Sequence, residues 1–169
     1  MEYQGWRYAD TPTVEVATQV DAPPAAVWPY VADPELMPTM SDELRAVEWL
    51  DGATTAALGA RFRGTSRHDA LGEWSTTSVV VEYEPDRVFA WAVGDSAEPS
   101  AVWRFTLAPR DGGTRLTQWM QLGPGRSGLS LAIERMPDKE QKIVFVRLRE
   151  FERAMTSTLD RIRSLVEGA

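Results

Sequence analysis

The chain has no cysteine and no asparagine. The first absence excludes disulfides, thiol nucleophiles and cysteine-based metal sites, and the second removes any N-glycosylation sequon. One histidine, His68, is too few for a histidine-based metal centre. Lysine is almost missing as well, two residues against sixteen arginines, a usage typical of GC-rich bacterial genomes. The longest aliphatic run is Val79-Val80-Val81, far short of the about 20 residues that cross a bilayer. The opening MEYQGWRYADTP has no basic start followed by an apolar core, so it does not read as a signal peptide. A net charge of −7 argues against a nucleic-acid partner, which needs a basic face to displace phosphate counterions. These absences lead us to expect a soluble, cytoplasmic monomer or homodimer with no membrane insertion, no metal and no cofactor.

What is present is ordinary for a globular protein: 169 residues, 43% hydrophobic and 25% charged. That length fits one domain, here 13–169, behind an extension at 1–12. The last thirty or so residues carry the clearest pattern. Val144, Leu148, Phe151, Met155, Leu159, Ile162 and Val166 recur at steps of three and four, the period of an amphipathic helix. Arg147, Arg149, Glu150, Arg153, Arg161 and Arg163 are read as its solvent face. Upstream, 13–20 alternates as a strand. Asp21 offers an N-cap and Pro23 and Pro24 suit the first turn of a helix through Val27, Trp28 and Val31, which Pro29 kinks or shortens. Asp33-Pro34 starts a second short helix through Met37 and Met40. Six strands follow, at 44–50, 60–68, 73–83, 87–93, 100–108 and 114–122, with Asp111-Gly112-Gly113 as a hairpin signal. Residues 123–137 read as a loop with a short helix. The fold class is therefore α+β, in the order β-α-α-β6-α, with a curved seven-stranded antiparallel sheet wrapped around the terminal helix.

Strand alternation assigns the faces. The inward set is Val47 and Trp49; Phe62, Ser66 and His68; Trp74, Thr76, Ser78 and Val80; Phe89, Trp91 and Val93; Trp103, Phe105 and Leu107; and Leu116, Gln118, Met120 and Leu122. Arg61, Arg63 and Arg67 fall outside, as does Trp119.

The runs Asp21-Ala22-Pro23-Pro24-Ala25-Ala26-Val27-Trp28, Gly59-Ala60-Arg61-Phe62 and Tyr83-Glu84-Pro85-Asp86-Arg87, together with the order of elements, resemble the START/Bet v 1-like (SRPBCC) superfamily, and within it the polyketide cyclase/dehydrase and lipid-transport branch. The resemblance spans 13–167 and implies a helix-grip fold with a deep hydrophobic cavity between sheet and terminal helix. It also implies binding of lipids, sterols, hormones or polyketides, with cyclisation, aromatisation or dehydration in some members. These runs mark the fold, and no residue inherits a catalytic role from them.

On this reading the ligand-binding candidates are Trp49, Phe62, Ser66, His68, Trp74, Thr76, Ser78, Phe89, Trp91, Trp103, Gln118 and Met120 from the sheet, with Phe151 and Met155 from the helix. His68 is the only catalytic candidate, because imidazole exchanges protons near neutral pH; the alternative is a hydrogen-bonded histidine at a frayed strand end. Glu73, across the turn, is either its orienting partner or solvated. Trp28, Trp49, Trp74, Trp91 and Trp103 are either core or the walls of a cavity that stacks a planar ligand. Asp42, Glu43, Glu82 and Glu84 are placed at turns or outward positions and form no facing acid pair. Gly123-Pro124-Gly125-Arg126-Ser127-Gly128 matches GxGxxG, but it follows a last antiparallel strand rather than opening a βαβ unit, so it reads as a flexible loop able to gate a cavity. Two functions follow: a cofactor-free polyketide cyclase or dehydratase, or a non-catalytic carrier or sensor of a polycyclic, polyketide-like or lipid-like molecule.

Overall fold

Short β-rich runs separated by tight turns must pair with one another, and the computed structural model, which describes residues 1–169, shows how. The elements are β1 (Thr13–Val20), α1 (Pro24–Val31), α2 (Met37–Met40), β2 (Leu44–Trp49), β3 (Arg61–His68), β4 (Gly72–Glu84), β5 (Val88–Val93), β6 (Ala101–Arg110), β7 (Gly113–Leu122), α3 (Gly128–Arg135) and α4 (Glu140–Glu167). The strands form one antiparallel sheet in the order β1-β7-β6-β5-β4-β3-β2. Consecutive strands from β2 to β7 are neighbours, and β1 closes beside β7. This is the α+β helix-grip architecture.

Local chemistry explains the joints. The β6-β7 turn leaves only Asp111 and Gly112 between paired Arg110 and Gly113, both at positive φ (52° and 77°), the two-residue turn whose twist matches its strands. Two bulges reset the alternation. One lies between Leu44 and Ala46 and brings Leu44 opposite Ser66 on the inner face. The other lies between Val80 and Glu82 and turns Tyr83 inward against Phe89. Helix α1 begins differently from the expectation: Pro23 occupies the cap position and Pro24 the first turn. Asp21 caps nothing there; its backbone N–H donates to Glu167 at 2.9 Å, tying the end of β1 to the end of α4. Asp33 does cap the next turn, accepting from the Glu35 N–H. The final helix opens with a 3-10 turn at Pro137–Lys139.

Helix α4 lies across β1 and β7, with α1 and α2 beneath its C-terminal half. Two apolar clusters result. One joins Phe89, Phe105, Leu107 and Leu116 to Val27, Val31 and the α4 residues Leu159, Ile162 and Val166. The other joins Val14, Met120 and Leu122 to Val144, Leu148 and Met155. Trp103 packs partly against both. The N-terminal extension is fastened over the start of α4: Tyr3 meets Phe145 edge-on at 5.3 Å, and the Gly5 carbonyl accepts from Gln141 Nε2 at 2.8 Å.

Candidate functional site

The inner face of the sheet is an aromatic band interrupted by a few polar groups. Cross-strand pairing aligns Met120, Trp103, Trp91 and Val80 in one row, and Gln118, Phe105, Phe89 and Tyr83 in the next. Toward the outer strands, Ser78 faces Phe62, Thr76 faces Gly64, and Trp74 faces Ser66. The face assignments made from alternation therefore hold from β3 to β7.

The rings of this band do not leave an open chamber along its length. Trp91 packs against Phe62, Phe89, Trp103 and Phe105 at centroid distances of 5.3–6.4 Å. Trp49 meets Phe62 at 5.7 Å, and Trp28 meets Tyr83 at 5.6 Å. Phe89, Met120 and Met155 are sealed in the core. Trp74, Trp103, Ser66, Thr76 and Phe151 remain half-buried. The half-buried inner residues thus run from Trp103 on β6 and Phe151 on α4 to the β3-β4 hairpin. Two prominent concavities lie elsewhere. One, about 640 Å³, is an open groove on the solvent face of α4 beside Thr39 of α2; the other, about 160 Å³, lies by the N-terminal extension.

Gln118 is the anomaly of the interior. It is only 6% exposed, and its side-chain carbonyl oxygen is buried with no hydrogen-bond partner. Buried acceptors are nearly always satisfied, and leaving one bare costs about 1–3 kcal/mol. It sits beside Phe105 in the centre of the band.

His68 stands at the end of β3, and its surroundings differ from the expected ones. Nδ1 accepts the Ala70 backbone N–H at 3.1 Å. Nε2 is therefore the protonated nitrogen of the neutral ring, and it donates to Glu150 Oε2 at 3.2 Å. The orienting carboxylate is Glu150 of α4; Glu73 is exposed. With both nitrogens engaged, neither faces the hollow as a free base.

Sequence reasoning also placed Arg147 and Glu150 on the solvent face, and the structure corrects this. Arg147 is 8% exposed. Its Nη1 donates to Glu150 Oε2 at 2.9 Å and its Nη2 to Glu43 Oε1 at 2.6 Å. Its guanidinium lies 4.2 Å over the Phe151 ring, which meets Trp103 edge-on at 5.4 Å. Glu43, assigned to an outward turn, is thus a partner of α4. The signal was available: 147 lies three residues after Val144 and four before Phe151, on the apolar stripe itself.

The GxGxxG run serves packing. A Cβ at Gly125 would fall on the backbone of Glu98 and Pro99, and Gly123, at φ 74°, lies against the Tyr8 ring. The Tyr8 hydroxyl donates to the Gly125 carbonyl at 2.6 Å, and backbone bonds join Gly123 to Ser100 and Gly125 to Pro99. The loop is pinned on both sides, which removes the gating role expected of it.

The family model for polyketide cyclase / dehydrase and lipid transport matches residues 11–167, so the chain belongs to that family, within the START/Bet v 1-like superfamily. Among curated proteins none matches this sequence. Among solved structures, the polyketide-cyclase-like protein Cgl2372 from Corynebacterium glutamicum is 25% identical, with a TM-score of 0.66 over 92% of this chain and 91% of that one. Ara h 8.0201 is 14% identical with a TM-score of 0.60, covering 94% and 99%. The di-domain aromatase/cyclase StfQ of the steffimycin pathway is 13% identical with a TM-score of 0.71 over 92% of this chain and 50% of that chain. The last two likenesses establish the fold. No helix is long and apolar enough to cross a membrane.

Proposed function

We propose that the protein binds a planar, hydrophobic, hydroxyl-bearing small molecule, polycyclic and polyketide-like or lipid-like, between the middle of α4 and the inner face of the sheet, from Gln118 at the centre of the band toward the β3-β4 hairpin. The observation that carries this reading is Gln118. A buried, unpartnered carbonyl oxygen in an aromatic wall is a standing acceptor for a ligand O–H or N–H. Trp103, Trp74 and Phe151 supply half-buried rings for stacking, and Ser66, Thr76 and Ser78 supply hydroxyls along the same wall. Phe89 and Met120, sealed in the same rows, and Met155, sealed on α4, flank the site as support.

Membership of a cyclase/dehydrase and lipid-transport family supports a catalytic reading beside the carrier reading. The geometry favours the carrier. His68 has no free ring nitrogen to move a proton, so any cyclisation here would run on orientation of the chain by Gln118 and the hydroxyls. Fluorescence titration with 2-hydroxyanthraquinone and with unsubstituted anthraquinone tests the binding claim. The hydroxylated compound is expected to bind about tenfold tighter, the worth of one hydrogen bond to a buried acceptor. Equal affinities, or no binding by either, would refute it. If the protein is instead an acid-base enzyme, His68→Ala abolishes turnover of a poly-β-keto substrate while sparing its binding.

A further inference from the structure

Helix α4 runs close to β1 and β7, whereas β2, β3 and β4 meet it chiefly through side chains. That seam is closed by one continuous chain of charge. Glu43, at the start of β2, accepts from Arg147; Arg147 donates to Glu150; and the same Glu150 oxygen accepts from His68 at the end of β3. Elsewhere the buried inner face of α4 is apolar: Val144, Leu148, Met155, Leu159, Ile162 and Val166. Directly behind the chain lie the half-buried rings of Phe151 and Trp103.

We propose that Glu43, Arg147, Glu150 and His68 form a clasp over the ligand entrance, holding the β3-β4 hairpin against α4 and releasing it to let cargo pass. The inference rests on the binding reading above and adds the route and its gate. Three features favour a clasp over fixed mortar. The His68–Glu150 pair at the hairpin is only partly buried, with side-chain exposures of 25% and 38%, and such a pair contributes little net stability, so opening it is easy, while Arg147, whose side chain is 10% exposed, stays on α4 as the fixed half of the clasp. The hairpin tip, Asp69 to Leu71, is exposed. The other end of the hollow offers no comparable route, because α1, α2 and the last turns of α4 close it with apolar contacts. Other links between α4 and the β2 side lie further along the helix, Thr158 to the Met40 carbonyl and Arg161 to Asp42, and anchor α2 rather than the hairpin.

The test uses His68→Ala and Glu150→Gln in the full chain, with Arg87→Ala at the distant β4-β5 turn as control. Amide hydrogen exchange of residues 64–76 needs no ligand. Uptake and release of 2-hydroxyanthraquinone, the planar dye of the binding test, are followed by stopped flow. Both variants are expected to speed hairpin exchange and both dye rates about three- to fivefold, the effect of losing one partly exposed pair. The dye's dissociation constant should stay within about twofold, and exchange in the last turns of α4 should not change. Unchanged hairpin exchange in both variants refutes the clasp. Faster exchange with unchanged dye rates refutes the portal. A wild type that takes up no 2-hydroxyanthraquinone refutes the binding reading and the portal together, while exchange still decides whether the four residues hold the hairpin.

Discussion

The two ends of the hollow share one sheet and one helix but are built on different terms. At the α1 end, Phe89, Phe105 and Leu116 meet Leu159, Ile162 and Val166, and the nearby buried hydroxyl of Thr114 is satisfied by the Ala22 carbonyl at 2.7 Å. At the hairpin end, the sheet and helix carry a buried arginine and an imidazole held from both sides, and between the two ends Gln118, in the row of Phe105 and Phe89, stands without a partner. On β7, Gln118 is set between Leu116 and Met120. Stability explains the first end. The second departs from what packing would choose, and such departures concentrate where a protein binds or reacts.

The sharpest way to break this contrast is to truncate one ring at each end. Phe89→Ala should destabilise the protein by about 3–5 kcal/mol, the usual cost of emptying a sealed aromatic site. Trp74→Ala, half-buried at the hairpin end, should cost about 1 kcal/mol or less while weakening dye binding. Chemical denaturation measures both, and equal losses would erase the distinction. Arg147→Met comes next. It leaves Glu43 and Glu150 without their shared cation, but both carboxylates stay partly hydrated, so we expect a loss of about 1–3 kcal/mol. Arg147→Lys should recover part of it, since an ammonium keeps the charge without the fork that spans two carboxylates. The smallest effect is expected at the paired Arg126 and Glu134, outside both ends. Their side-chain hydrogen bond and attraction hold the Glu134 carboxyl below its usual range and the Arg126 guanidinium above its own. A lowered carboxylate contributes stability above its unfolded value and loses it as pH falls through the folded one. Both groups are fully exposed, so Arg126→Ala should shift the thermal midpoint barely detectably, and less still in high salt.

The contrast between the ends also marks where the sequence was legible. Alternation and turn residues located every strand to within about two residues, and the terminal stripe located α4, because burial of one face dictates a period. The inward placement of Ser78, Trp91, Trp103 and Gln118 followed from the same rule. Bulges at β2 and β4 were invisible, since one unpaired residue leaves no compositional trace, and so Leu44 and Tyr83 joined the inner face unannounced. The clasp was misread for a chemical reason. Charge was taken as evidence of solvent, although Arg147 sat on the apolar stripe, and a guanidinium stacked on Phe151 between two carboxylates is stable there. The glycine run was recognised as no nucleotide site, but its purpose is contact with Tyr8 and Glu98, which alternation cannot report.

Gln118 carries the decisive measurement, because a side chain kept for a ligand should cost the free protein something. Gln118→Leu removes the bare acceptor at nearly constant volume. We predict that the unliganded variant is more stable than wild type by about 1 kcal/mol in denaturant unfolding. Its affinity for 2-hydroxyanthraquinone should fall about tenfold while that for anthraquinone is unchanged. A variant that is less stable, and binds the hydroxylated compound as tightly as before, would contradict the assignment of Gln118 and the wall around it as the binding site.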